Sequence, residues 1–162
     1  MQLSLHADYA LRVLIYLGAN DGAVVSTRQI SDAYGISKHH LSRVVQTLGT
    51  HGYVELLTGR GGGVRLKKSP AEIRLGDVVR ETEANLNLVE CFDPVTNTCP
   101  IAHTCGLQSC LREALTAFID SLNQHTLAEL LVADRRSALS AAFIEVRGRA
   151  TGPPSADRRS TG

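Results

Sequence analysis

The sequence has no tryptophan, one methionine and only 4% aromatic residues, so few ring side chains are available to line a substrate pocket. No apolar run approaches the roughly 20 residues that a membrane-spanning helix needs. The opening residues 1–4 (MQLS) lack the basic stretch and apolar run of a signal peptide, so we expect a cytoplasmic protein. A catalytic dyad and a nucleotide-binding loop are also missing from the pattern, which argues against an enzyme.

Charge is distributed unevenly along the chain, although the formal net charge is only +1. Residues 28–74 contain eight Lys and Arg against three Asp and Glu, whereas residues 75–134 contain two against nine. An average close to neutral therefore hides a basic segment followed by an acidic one. The basic segment is the candidate for contact with a polyanion such as nucleic acid.

The first 51 residues contain the signals of three helices. Residues 4–19 carry one broad apolar face, with Asp8 and Arg12 four residues apart on another face, where an ion pair is the simplest interpretation. Ser26 begins a second helix with a capping-box pattern that Gly35 ends. A third helix follows in the same segment, with apolar positions at i, i+3, i+4 and i+7. Residues 26–51 therefore predict a helix-turn-helix.

Residues 53–68 predict a β-hairpin, because two strand-like segments flank a glycine-rich turn. A strand follows the glycines, whereas a phosphate-binding loop needs a helix there, so we interpret the hairpin as a wing. The fold class is then mainly α with a small β-hairpin wing, and double-stranded DNA is the expected partner. A plain solvated face is the alternative for the third helix. The predicted DNA-contacting residues are Arg28, Ser37, Lys38, His39, His40, Ser42, Arg43, Gln46, Arg60, Arg65, Lys67 and Lys68.

All four cysteines lie within twenty positions of one another, at Cys91, Cys99, Cys105 and Cys110. Structural zinc usually draws its thiolates in pairs two to four residues apart, and only the last two cysteines come near that spacing. Iron-sulfur clusters accept thiolates at wider spacing in loops with Gly and Pro. The spacing favours a cluster and leaves zinc or uncoordinated thiols open. Cys110 lies beside Ala114 on a predicted helix, so we expect it to be a small buried residue first and a ligand second.

Residues 107–122 predict a long helix with an apolar stripe that is wider than so small a chain can cover by itself. A partner helix, and hence a homodimer, is one solution, and packing within the chain is the other. We therefore expect a DNA-binding domain over residues 1–70 and a cysteine loop (91–105) with a dimerisation helix over residues 71–135. Residues 136–162 are expected to form a disordered tail, since their end is rich in Pro and Gly.

Four stretches together resemble the winged-helix iron-sulfur repressors, a family that includes the NsrR and IscR types. They are the opening residues with 8–12 (DYALR), 61–66 (GGGVRL), 76–81 (GDVVRE) and the three-cysteine loop. The resemblance covers residues 1–134 and is strongest to the NsrR type, which senses nitric oxide. It implies a dimeric repressor that binds an inverted repeat of operator DNA. Nitrosylation of the cluster would release the DNA and derepress nitrosative-stress genes.

The resemblance also implies a ligand set. Cys91, Cys99 and Cys105 would hold the cluster, [4Fe-4S] in preference to [2Fe-2S], and Asp8 from the other subunit would complete it. The IscR type places a histidine three residues after its third cysteine and binds [2Fe-2S], but that position is Gln108 here. His103 is a lower-ranked ligand, as is Cys110. The alternatives are an IscR-like [2Fe-2S] regulator of cluster biogenesis or redox stress and a zinc-stapled winged-helix regulator.

Overall fold

A computed structural model describes residues 2–20 and 22–150, with side chains to residue 146. This part of the chain is mainly helical, with one two-stranded antiparallel sheet. The elements are α1 (Leu5–Ala19), α2 (Thr27–Tyr34), α3 (Lys38–Thr50), β1 (Val54–Leu57), β2 (Gly63–Leu66), α4 (Leu75–Thr82), α5 (Gly106–Asn123), α6 (Leu127–Leu130) and α7 (Ala133–Ala150). Among the described residues, no helix is long and apolar enough to cross a membrane.

Helix α1 is the centre of the hydrophobic core. Ser4 caps it by accepting a hydrogen bond from the Ala7 N–H at 3.2 Å. The face that the pattern predicts to be apolar is buried against α3, α4, α6 and β2. Each fully buried Leu or Val side chain contributes roughly 1.5–3 kcal/mol to folding, so this helix fixes the positions of the elements around it.

Helices α2 and α3 form the predicted helix-turn-helix. Ser26 and Gln29 make the capping box, and Gly35 ends α2 with φ +64°, a backbone conformation that suits glycine. Ser37 caps α3 by accepting from the His40 N–H at 3.3 Å. The apolar positions of α3 are buried, as predicted, so its polar face is turned outward.

The hairpin of β1 and β2 pairs Val54 with Leu66 and Leu57 with Gly63. Two backbone hydrogen bonds, of 2.9 and 2.8 Å, join Val25 to Val64 and attach the hairpin to the loop before α2. The hairpin follows α3 in the chain and is bonded to the loop before α2, so it flanks the helix-turn-helix in the position of a wing.

Helix α4 connects this module to α5 through a close approach at Gly76. A Cβ atom at Gly76 would lie 2.5 Å from the Ile119 carbonyl oxygen and from Asn123 Oδ1, so only glycine allows this contact. The Asn123 amide accepts from the Asp77 N–H at 2.9 Å and donates to Asp77 Oδ1 at 3.1 Å. Helices α4 and α5 are consequently fastened together at this point.

The C-terminal segment differs from the prediction. Residues 136–150 were expected to be disordered, but they belong to helix α7. Phe143 of α7 is buried between Tyr16 and Tyr34, with ring centroids 4.7 and 5.4 Å away. Burying this ring offsets the entropy of ordering the helix, which composition alone does not reveal. The rest of the predicted tail, residues 151–162, lies outside the described residues.

Candidate nucleic-acid interface and metal centre

The outer face of α3 presents a continuous polar surface. Seven of the predicted DNA-contacting residues lie on α3 or at its N-cap, and all of them are exposed: Ser37, Lys38, His39, His40, Ser42, Arg43 and Gln46. The Ser42 hydroxyl donates to the Lys38 carbonyl at 2.9 Å, so its oxygen still has capacity to accept. A convex helix with such donors and acceptors has the shape and chemistry to enter a major groove.

The predicted cations outside α3 differ in how much of their charge is available. Arg60 lies exposed at the wing tip, and neither Arg60 nor Lys67 forms an ion pair with any described residue. Arg65 is paired with Glu55 across the hairpin at 2.8 Å, and Arg28 lies 3.8 Å from Asp32. Arg60 and Lys67 are therefore the strongest candidates for phosphate contacts from this group.

Tyr53 is a residue of this interface that the sequence did not single out. Its ring lies under Lys68, with the Lys68 Nζ atom 4.3 Å from the ring centroid. A cation over an aromatic face is held there by the ring quadrupole. Tyr53 therefore orients one of the predicted DNA-contacting side chains. The signal was an aromatic residue directly before β1, which periodicity assigns only to the core.

Three of the four cysteines line a single cavity of about 220 Å³. Cys91, Cys99 and Cys105 are half-buried there, among largely apolar walls from Val89, Ile101, Leu107 and Leu111. Cys110 and His103 are exposed and contribute nothing to the cavity lining. The expectation that Cys110 is buried was wrong, because its side of α5 is not covered within the chain.

Two acidic side chains hold the loop around this cavity in place. Glu90 accepts from the Thr98 hydroxyl and from the Thr98 N–H, and these bonds lower the pKa of Glu90. Asp93 accepts from the Val95 N–H at 2.9 Å and from the Thr96 hydroxyl at 3.0 Å, which lowers the pKa of Asp93. These local bonds keep the long segment between the first two cysteines folded back on itself.

The first two turns of α5 brace the loop from the other side. The Gln108 side chain donates to the Cys91 carbonyl, and the Arg112 guanidinium lies 4.6 Å from the Phe92 ring centroid. In the sequence, Gln108 is notable only as the place of a missing histidine. The structure gives it a positive role, since it ties the first cysteine to α5.

The donor set suits an iron-sulfur cluster. Thiolates are the usual ligands of cluster iron, and apolar walls limit the access of water. No group of three His, Cys, Asp or Glu side chains in the described part of the chain is placed to hold a single metal ion. Asp8 is half-buried on α1, where it pairs with Arg12, and it does not line the cysteine cavity of its own chain.

A capped helix-turn-helix followed by a hairpin wing defines the winged-helix transcriptional regulators. Within this class the chain belongs to the Rrf2 family, described as iron-dependent transcriptional regulators, whose family model matches residues 3–133. The prediction that the chain is a regulator and not an enzyme is therefore confirmed, and so is the resemblance to the iron-sulfur repressors.

Individual relatives agree with this assignment. The chain is 49% identical over 149 residues to the HTH-type transcriptional regulator NsrR of Geobacillus kaustophilus, covering 91% of this chain and 100% of the relative. It is 48% identical over 132 residues to the NsrR of Bacillus subtilis, with 81% and 90% covered. The structure of T. potens IscR superimposes with a TM-score of 0.60 at 19% identity, covering 96% and 94% of the two chains, which confirms the predicted fold class.

Proposed function

We propose that the chain is a cytoplasmic, homodimeric repressor that binds operator DNA and senses nitric oxide through an iron-sulfur cluster. The observation that carries the proposal is that Cys91, Cys99 and Cys105 share one cavity while Cys110 lies outside it. The relatives named NsrR support the signal, since they are similar to this chain over most of its length.

In this proposal the three cavity thiolates and the partner subunit's Asp8 hold the cluster. When bound, the cluster supplies iron that can react with nitric oxide. The contacts of the chain favour [4Fe-4S] over [2Fe-2S] because Gln108 is engaged with the Cys91 carbonyl and His103 is exposed and does not line the cavity. The [2Fe-2S] alternative, an IscR-like regulator, would need a histidine at the position that Gln108 occupies in this chain.

The homodimer is supported by α5. Among the described residues of α5, only Ile119 is buried. Four further apolar residues of this helix are half-buried, namely Leu111, Leu115, Phe118 and Leu122, and Leu107 is 62% exposed. A second copy of α5 packing on this stripe would remove more apolar surface from water. Two protomers related by a two-fold axis would place their α3 helices in successive major grooves of an inverted repeat.

Asp8 links the cluster to DNA binding, because α1 also packs against α3 in the core. While the partner subunit's Asp8 is held as a ligand, the position of α1 relative to the other protomer is fixed. Loss of this ligand would allow the two recognition helices of the dimer to change their distance from each other. A coupling of about 1–3 kcal/mol is enough to change DNA affinity roughly 5- to 150-fold.

The test is operator binding by anaerobically purified protein before and after exposure to nitric oxide. Selection of bound fragments from random duplexes first supplies an operator, and fluorescence anisotropy then gives the affinity at fixed salt. We expect the cluster-containing protein to bind at least about fivefold more tightly than the treated protein. Equal affinity in the two states would show that the cluster does not control DNA binding.

A further inference from the structure

The end of the recognition helix and the base of the wing meet helix α4 at a single carboxylate. The Nδ1 atom of His51, the C-cap residue of α3, lies 3.3 Å from Glu81 Oε2. Burial raises the pKa of the phenol of Tyr53, the residue before β1, and the same carboxylate, acting as acceptor and as negative charge, raises that pKa further. Glu81 is the penultimate residue of α4, so the ends of α3 and α4 and the start of β1 lie together at this one side chain.

Tyr53 transmits this contact to the wing and to α3. It is buried, with 2% of its surface exposed. Its N–H donates to the Leu48 carbonyl of α3 at 2.9 Å, and its carbonyl accepts from the Lys67 N–H at 2.9 Å. With Lys68 held over its ring, Tyr53 determines where the second strand of the wing and both of these lysines lie.

Helix α4 is also connected to α5, which follows the cysteine loop and contacts it, and to the start of α1. Gly76 near its start is packed against Ile119 and Asn123 of α5, the helix whose first turn binds the Cys91 carbonyl through Gln108. Just after its end, Glu83 accepts a hydrogen bond of 2.7 Å from the Ser4 N–H, the cap of α1. A shift of α4 would therefore move Glu81 relative to the wing.

We propose that Glu81 is a positioning residue through which α4 relays the state of the cysteine loop to the wing and to the end of the recognition helix. The inference rests on the proposed function, since it names the route by which the cluster would alter DNA binding. The carboxylate is 38% exposed, so its contact with His51 adds little to overall stability. Its role is to select the pose of two DNA-reading elements.

The experiment compares the affinity of cluster-loaded and cluster-free dimer for one operator duplex, using full-length Glu81→Ala, Tyr53→Phe and wild-type protein. The ratio of the two affinities is the measured quantity, because a general loss of folding affects both forms and cancels. Glu81→Gln keeps an acceptor for the Tyr53 phenol. Glu145→Gln is the matched control, since it removes one carboxylate charge from an exposed site on α7.

We expect Glu81→Ala and Tyr53→Phe to reduce the wild-type ratio by about fivefold or more, Glu81→Gln to retain more of it, and Glu145→Gln to leave it unchanged. Hydrogen exchange at the Lys67 amide should become faster in the first two variants, which reports the loosened wing directly. A wild-type ratio preserved in both variants would overturn this inference alone. A wild-type ratio of one would overturn the proposed function, and this inference with it.

Discussion

Arg12 holds both oxygens of the Asp8 carboxylate on α1, with its Nη2 atom 2.8 Å from Oδ2 and its Nε atom 3.1 Å from Oδ1. This hydrogen bonding is the main reason that the pKa of Arg12 is raised. If Asp8 is a ligand of the partner's cluster, iron has to compete with the guanidinium for the carboxylate. The pair therefore provides a way to separate the role of Asp8 as a ligand from its role in the helix.

Asp8→Ala should change the absorption spectrum of the anaerobic protein, because it removes the proposed fourth ligand. Arg12→Ala is the matched variant, since it breaks the same ion pair and leaves the carboxylate in place. An exposed pair four residues apart on a helix contributes only about 0.3–0.5 kcal/mol, so neither variant should unfold. Spectra altered equally in both variants would mean that the ion pair, and not coordination, is responsible.

Gln108→Ala should make the cluster less persistent without removing a ligand. The substitution leaves the Cys91 carbonyl without its donor, at a cost of about 1 kcal/mol, and releases the loop from α5. The measurement is iron and sulfide content per chain over time in air. Cys110→Ala serves as control and should retain the wild-type content, since its thiol lies outside the cavity. A Gln108→Ala protein as durable as wild type would contradict the bracing role.

The elements that could be predicted from the sequence are those whose signals lie within a few residues of the element itself. The helix-turn-helix was predictable because Ser26 and Ser37 cap the starts of its helices and Gly35 ends the first of them, all within the local sequence. The wing was predictable because a glycine-rich turn lies directly between its two strands. Helix α7 was missed because it is stabilised by Phe143 entering a space between Tyr16 and Tyr34, more than a hundred residues earlier.

The candidate site follows the same rule. The three cavity cysteines could be named from spacing and resemblance, since they lie close together in sequence. The burial of Cys110 was predicted incorrectly, because which face of α5 is covered depends on α4. The contact between Tyr53 and Glu81 joins residues in different elements, and neither has a motif that would reveal it.

Arg60→Ala should weaken operator binding and reduce the salt dependence of binding. Loss of one phosphate contact lowers the slope of log affinity against log salt by about 0.9. Arg65→Ala should have a smaller effect on the slope, because Glu55 already neutralises that guanidinium. The measurement is anisotropy with one duplex over a series of salt concentrations. Equal slopes for Arg60→Ala and wild type would exclude a phosphate contact at the wing tip.

Tyr34 should make the protein less stable at alkaline pH. Burial raises the pKa of Tyr34 from its ordinary value of 10.0 to about 12. The folded state therefore holds the phenol proton more firmly than the unfolded state does. The free energy of unfolding that this difference contributes is fully present below about pH 10. It is lost as the pH rises from about 10 to about 12, and it amounts to roughly 2–3 kcal/mol at most.

Urea unfolding of wild type and Tyr34→Phe across this range measures that effect. Phenylalanine keeps the ring between Tyr16 and Phe143 and removes the titrating group. We expect the free energy of unfolding of Tyr34→Phe to fall less steeply above pH 10 than that of wild type. Parallel curves would show that the hydroxyl of Tyr34 ionises as readily in the folded protein as in the unfolded chain.

Phe143→Ala should test whether α7 stabilises the DNA-binding half of the molecule. Phe143 is 8% exposed and contacts a ring from α1 and a ring from α2, so its truncation leaves a cavity between those helices. Phe-to-Ala changes in cores cost about 3–5 kcal/mol, and the low end is expected here because α7 lies at the end of the described chain. Ile144→Ala, at a position 66% exposed, should change the free energy of unfolding by less than about 0.5 kcal/mol. Because α2 supports α3, Phe143→Ala should also weaken operator binding at temperatures well below the melting point of the variant. Unchanged stability of this variant in urea would show that α7 does not brace the helix-turn-helix.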